Sequence, residues 1–200
     1  MKRIKEIISG PAFKLLGYRP QRVSVDAWDR EYRAGDWKFL ESIDSIAGHV
    51  SILGYVQFLA PDSILDVGCG AGVLAKKLKV LPFRSFLGID ISPEAIAQAK
   101  AASTDPRMAF AVSDADGFET DRRFDVIVFN QCLYYLPAPR ATIRHYAQFL
   151  TPTGRIIVSM CDSARSRATW GLIERELKVE DVLSFEQAQG RGMTKVLKAA

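Results

Sequence analysis

The run ILDVGCGAGVL (64–74) sets Asp66 two residues ahead of Gly68, Gly70 and Gly72, three alternating glycines at the mouth of a helical pattern. Glycine lets a backbone turn pass close to a ligand with no side chain in the way, so this turn is a candidate cradle. Cys69, inside it, is expected to pack as a small hydrophobe and not to act as a nucleophile. Two further aspartates close short apolar runs: Asp90 in FLGID, 18 residues past Gly72, and Asp114 in VSDAD. Carboxylates in such places accept hydrogen bonds from hydroxyls, amines and cations. Each one singly could equally cap a helix or a turn. Their joint placement behind a glycine turn favours a ligand.

Three ligands compete for the turn. A nucleoside triphosphate needs a Lys and a Ser or Thr directly after the glycines, and neither is present. A dinucleotide prefers GxGxxG, whereas the spacing here is GxGxG behind an acid that would repel a diphosphate. A short-chain dehydrogenase would also carry Tyr-x-x-x-Lys, and no tyrosine has a lysine four residues on. Asp66 suits a ligand ammonium, Asp90 the two hydroxyls of a ribose, and Asp114 the exocyclic amine of an adenine, with Ile91 as an apolar wall. A cationic amino-acid head, a ribose and an adenine with no phosphate describe S-adenosylmethionine.

The elements that must hold these residues alternate along the chain. Strands are predicted over 63–67, 86–90, 108–113, 124–130 and 154–160. Helices are predicted over 73–79, over 93–102 with Ser92 as cap and Pro93 in the first helical position, and over 139–150. Alternation of this kind implies parallel β-α-β units, hence an α/β, Rossmann-like doubly wound sheet. The last two apolar runs, 177–185 and 193–199, are joined by a link too short for a helical crossover. They should pair as an antiparallel hairpin, giving a seven-stranded mixed sheet. Upstream, 26–59 reads as helical and stops at Pro61. We expect one structural domain, with a basic arm and helical cap over 1–59 and the ligand-binding core over 60–200.

Composition sets outer bounds. The 200 residues are 48% hydrophobic and 25% charged, with a net charge of +4. Residues 1–22 carry six cations against Glu6, so the remainder has a net charge of −1. A near-neutral body argues against a nucleic-acid substrate. The start lacks the apolar core of a secretory signal, which predicts a cytoplasmic location. Three scattered cysteines and two histidines predict neither disulfides nor a metal site.

The chain resembles the class I S-adenosylmethionine-dependent methyltransferases over roughly 60–200. LDVGCGAG matches their first motif, LGIDISPEAIAQAK the ribose motif, VSDADGF the adenine motif and FDVIVFNQCLYYL the fourth-strand motif. YAQFLTPTGRIIVSM matches the helix, turn and fifth strand. The resemblance implies that Asp66 and the turn from Gly68 through Cys69 and Gly70 to Gly72 hold the methionine end. Asp90 and Ile91 would take the ribose side, Asp114 and the Ala115 N–H the adenine, and Asn130 would lie near the sulfonium. LYYL (133–136) and RATWG (167–171) are weakly similar to the nodulation-type amino-sugar N-methyltransferases, although Gln131 stands where those would carry a glutamate.

Methyl transfer from a sulfonium needs mainly alignment, so no catalytic residue can be named. An amine must arrive deprotonated, and a hydroxyl is helped by a general base. The fourth-strand motif lacks the Pro-Pro-aromatic sequence of enzymes acting on base amines, and no Pro-Cys dipeptide is present. A small-molecule acceptor is therefore expected, a sugar or lipid-linked sugar among the candidates, with transfer to O or N. Trp28, Tyr32, Trp37, Tyr134, Tyr135 and Trp170 could wall the transfer site, or pack as core. His49 and His145 read as ordinary helix residues. The basic arm reads as a lid or tail, with transient contact to an anionic membrane surface as the alternative. Two other functions compete: a non-catalytic partner subunit that binds the cofactor, and a nicotinamide-dependent oxidoreductase.

Overall fold

Runs such as SILDV and FDVIVFN are apolar at nearly every position, and strands of that kind must be covered on both faces. In the computed structural model, which describes residues 23–199, they form the centre of one seven-stranded sheet. The strands are β1 Ser63–Val67, β2 Ser85–Asp90, β3 Met108–Val112, β4 Phe124–Asn130, β5 Leu150–Cys161, β6 Leu177–Gln187 and β7 Gly190–Ala199. Their order is β3-β2-β1-β4-β5-β7-β6, with β1 to β5 parallel and the β7–β6 pair antiparallel. The doubly wound sheet is as expected from the alternation of strands and helices, and the terminal hairpin as expected from the shortness of its link.

The helices are α1 Val25–Ala34, α2 Ile46–Leu59, α3 Val73–Leu78, α4 Pro93–Ala102, α5 Pro139–Ala147 and α6 Ala164–Ile173. The expected helical stretch over 26–59 is broken. α1 ends at Gly35 in the left-handed conformation, and two short 3-10 turns (Lys38–Glu41, Ile43–Ser45) lead into α2. The helix expected over 139–150 stops at Ala147, because Leu150 already pairs with Phe124 and opens β5. α6 was not anticipated beyond the RATWG run that lies inside it. The cap on α4 is as read: Ser92 Oγ accepts from Ala95 N at 3.0 Å, with Pro93 at the first position. The basic arm, 1–22, lies outside the described residues.

Alternate residues of each central strand enter one of two apolar layers. Leu65, Val67, Ile127 and Phe129 face the layer under α5 and α6, with Tyr146, Ile143 and Trp170. Ile64, Val126 and Val128 face the other layer, with Ile52, Leu74 and Leu78 of α2 and α3. Asp66 follows Ile64 by two, so its carboxyl points into that second layer, at the place where β1 ends.

A buried hydroxyl chain ties α2 to the antiparallel part of the sheet. Ser51 Oγ lies 2.5 Å from Thr194 Oγ1, Thr194 Oγ1 donates to Ser159 Oγ at 3.0 Å, and Ser51 Oγ donates to Gly48 O at 2.7 Å. Thr194 and Ser159 have no exposure. Replacing a member of such a chain leaves its partners unsatisfied. Thr194→Val is expected to lower unfolding stability by about 1–3 kcal/mol, read from urea denaturation midpoints, and to leave the far-ultraviolet circular dichroism unchanged.

Candidate cofactor site

At the carboxyl ends of β1, β2 and β4 the sheet opens onto a cleft of about 580 Å³. That volume lies inside the roughly 300–1,000 Å³ range of small-molecule sites. The winding of the sheet reverses between β1 and β4, so the cleft sits at the topological switch point of the fold.

The glycine turn is fixed from within. Gly68 N and Cys69 N both donate to Ile89 O (2.8 and 3.0 Å), Gly70 N donates to Asp90 Oδ2 at 2.9 Å, and Gly72 N donates to Cys69 O at 3.1 Å. Gly68 and Gly70 adopt φ of +71° and +54°. A Cβ on Gly68 would come within 2.7 Å of Cys132 Cβ, and one on Gly70 within 2.5 Å of the Tyr32 hydroxyl. Four N–H groups turned inward cannot cradle a diphosphate, and two carboxylates behind them would repel one. This geometry argues against a dinucleotide.

Asp66 is 1% exposed, and neither carboxylate oxygen has a hydrogen-bond partner. Burial, reinforced by the nearby Asp90, pushes its carboxyl up to about 7. A buried carboxylate with no donor is costly, and a ligand cation would remove the cost. The same orphaned acid fits the ammonium of the expected cofactor. Asp90 is differently placed: Oδ2 receives Gly70 N and Oδ1 receives Ser92 N, each at 2.9 Å. Burial raises its carboxyl, and those backbone N–H groups oppose the rise. Each oxygen keeps a further lone pair for a ligand hydroxyl. The cap reading and the ligand reading of Asp90 are therefore compatible.

A family model described as a methyltransferase domain matches residues 60–196. The chain belongs to the methyltransferase-domain family. Among curated relatives, Nodulation protein S of Sinorhizobium fredii is 32% identical over 112 residues, 54% of this chain and 50% of that protein. Malonyl-[acyl-carrier protein] O-methyltransferase of Anoxybacillus flavithermus is 31% identical over 100 residues, 50% of this chain and 39% of that one. The chain thus spans half or less of the length of these curated relatives. The crystal structure of N-methyltransferase NodS from Bradyrhizobium japonicum, in complex with S-adenosyl-L-homocysteine, is similar with a TM-score of 0.76. It is 21% identical and covers 88% of this chain and 97% of that one, a likeness of fold.

Within this methyltransferase fold, Asp66, Gly68, Cys69, Gly70, Asp90, Ile91, Asp114, Ala115 and Asn130 all line the cleft. Gly72 does not. It starts α3 with a positive φ, and a Cβ there would press on Ala99 of α4 at 3.2 Å, so its part is packing. Burial, with Asp66 and Asp90 beside it, raises the Cys69 thiol well above its ordinary range and keeps it protonated. Asp114 Oδ1 accepts from Asp116 N at 3.1 Å, so it too both closes a turn and faces the cleft.

Of the six aromatics, Trp28, Tyr32, Trp37 and Tyr135 border the cleft. Trp28 meets Tyr135 edge-on at 5.2 Å, and Trp37 stacks on Tyr32 at 6.0 Å. Tyr134 is instead buried beneath Tyr135, with its hydroxyl donating to Gln131 Oε1 at 3.3 Å. Trp170 lies in the core of the sheet face that α6 covers, with Lys195 Nζ 4.5 Å from its ring centre. Those two expectations are corrected by burial: α6 spends its indole on packing, away from the cleft. Gln131, in the left-handed region at φ +56°, holds the loop by accepting Cys161 N at 2.9 Å.

Sequence reasoning missed the residues that hold the third aspartate's loop. On α5, Tyr146 donates to Ala115 O at 3.0 Å, Thr142 to Asp116 Oδ1 at 3.3 Å, and His145 Nε2 lies 2.8 Å from Phe118 O. Three polar residues on one helix face (142, 145, 146) were the available signal. It also missed His49, which lines the cleft from α2 with its Nδ1 3.3 Å from Ser45 O. Burial holds that imidazole down at about 4, so it is neutral at pH 7.

The Asp66 carboxyl sets a pH-dependent penalty on the empty protein. Its folded value of about 7 lies above the ordinary 3.8. Its favourable contribution is therefore complete below about 4 and is lost as pH rises through 7. Asp66→Asn removes the charge. The variant is expected to be more stable than the parent at pH 8, by on the order of a few kcal/mol and hence with a higher melting temperature, and close to it at pH 4.5. Thermal melts at the two pH values check this.

Proposed function

We propose that this chain is an S-adenosylmethionine-dependent methyltransferase that moves a methyl group to an O or N atom of a small molecule. The observation that carries the reading is the unpartnered Asp66 carboxylate behind a glycine turn in which the N–H groups of Gly68, Cys69, Gly70 and Gly72 are already used. When bound, the cofactor supplies a methyl group on a positively charged sulfur, already activated for displacement.

The chain's own residues bind, orient and shield. Asp66 accepts the ammonium, relieving its burial. Asp90 uses its remaining lone pairs for the ribose hydroxyls while its fixed N–H bonds hold it in place. Asp114 and the Ala115 peptide face the base, kept in register by Tyr146, and Ile91 lies along the ring. Asn130, at the end of β4, borders the reacting centre. α1 is latched over the cleft by polar contacts to α4: Ser92 Oγ donates to Asp29 Oδ1 at 2.5 Å, and Gln98 Nε2 to Tyr32 O at 3.2 Å. With Trp28, Tyr32 and Trp37 on that cover, the site excludes water from a reaction that needs chiefly alignment. In this reading, residues 23–59 cover a core formed by 60–199.

The acceptor is proposed to be a small molecule, with a sugar or lipid-linked sugar suggested by the nodulation-type resemblance. Among the described residues no helix is long and apolar enough to cross a membrane. We place the activity in the cytoplasm.

S-adenosylhomocysteine at 100 times its dissociation constant should stabilise the protein by about 2.7 kcal/mol in a thermal-shift assay, and NAD(P) should not. Asp90→Ala should weaken S-adenosylhomocysteine binding roughly 10- to 100-fold, measured by calorimetry. Stabilisation by NAD(P) alone would contradict the reading.

A further inference from the structure

We propose that the methyl acceptor is an aliphatic amine, received where Trp28 meets Tyr135, an inference that rests on the cofactor reading above. That end of the cleft is bordered by Trp28, Tyr135, Leu136 and Pro137, with Asn130 and Gln131 beside them. Trp28 continues the surface to Trp37, their ring centres 5.7 Å apart. The result is an aromatic wall with no charged side chain of its own.

The charges around the rest of the cleft point the same way. Among the described lining residues stand five carboxylates (Glu41, Asp66, Asp90, Asp114 and Asp116) against Lys38 and Lys76. Lys76 is already paired with Glu41 at 2.6 Å. The buried Arg165 of α6 lies outside the lining, and its charge acts on the Tyr135 hydroxyl from behind the wall. A carboxylate acceptor would have to shed water beside these acids. A hydroxyl acceptor would want a base there. His145 is engaged with Phe118 O outside the lining, and His49 lines the cleft from α2, beside Lys77 of α3.

An amine asks for neither. Its nitrogen lone pair forms the new bond to the methyl carbon, the carbon–sulfur pair returns to sulfur, and the product is an ammonium that gives its extra proton to water. Positive charge thus migrates from sulfur to nitrogen as the bond forms. An aromatic face, tryptophan above all, attracts such a cation more strongly as water is excluded. With a carboxylate or alkoxide the charge would be annihilated instead, and the wall would have nothing to stabilise.

A charge series of equal shape tests this with S-adenosylhomocysteine bound. Choline, 3,3-dimethylbutan-1-ol and 3,3-dimethylbutanoate carry a positive, a neutral and a negative version of nearly one outline. Tryptophan fluorescence and saturation-transfer NMR should show choline binding roughly tenfold more tightly than the alcohol, and the butanoate weakest. Trp28→Leu should abolish the preference while S-adenosylhomocysteine still binds, and Trp28→Phe should retain part of it. If Trp28→Leu does not fold, Tyr135→Leu reports the same contact. Equal binding of choline and the alcohol, or preference for the butanoate, overturns the proposal. Failure of the parent protein to bind S-adenosylhomocysteine would instead remove the cofactor reading beneath it.

Discussion

A carboxylate buried at the end of β1 with no protein donor is the constraint around which this site is organised. Asp66 lies on the same strand face as Ile64, inside an apolar layer, where an isolated acid is destabilising. No protein donor reaches it: in the glycine turn, the N–H groups of Gly68, Cys69, Gly70 and Gly72 are committed to Ile89, Asp90 and Cys69. What remains is a site complementary to a cation and inhospitable to a phosphate. Stability of the empty protein is set against affinity for its ligand.

The remaining parts of the cleft follow from how that acid is held. Gly68 and Gly70 need positive φ so that the turn can fold back on Ile89, and this brings Cys132 and Tyr32 into contact with it. Asp90 braces the same turn from β2 and the start of α4 from the other side. α1 then lies on α4 through Asp29 and Gln98, which delivers Trp28 and Tyr32 to the cleft. A single network runs from the sheet, through the turn, to the aromatic cover.

Much of this was legible in the sequence where local chemistry decides. The alternation of apolar runs implied the parallel sheet, and the shortness of the 186–192 link implied the antiparallel β6–β7 hairpin. The three aspartates could be placed because each lies at or just beyond the carboxyl end of a strand. Side-chain direction was the harder part. Tyr134 and Tyr135 are adjacent and chemically identical, yet one enters the core and the other the cleft, because a 3-10 turn between β4 and α5 separates their directions. Trp170 is pressed into the sheet by α6, a direction that the RATWG run does not carry. Tyr146, whose hydroxyl fixes the Ala115 loop, could not be told from a core aromatic by spacing alone.

The most direct test of the central claim is to count protons. S-adenosylhomocysteine binding measured by calorimetry at pH 7, in buffers of different ionisation enthalpy, reports proton release. A carboxyl at about 7 that becomes an ion pair should release about half a proton per site, and none once Asp66 is replaced by asparagine. Binding with no proton release from the parent protein would contradict the account.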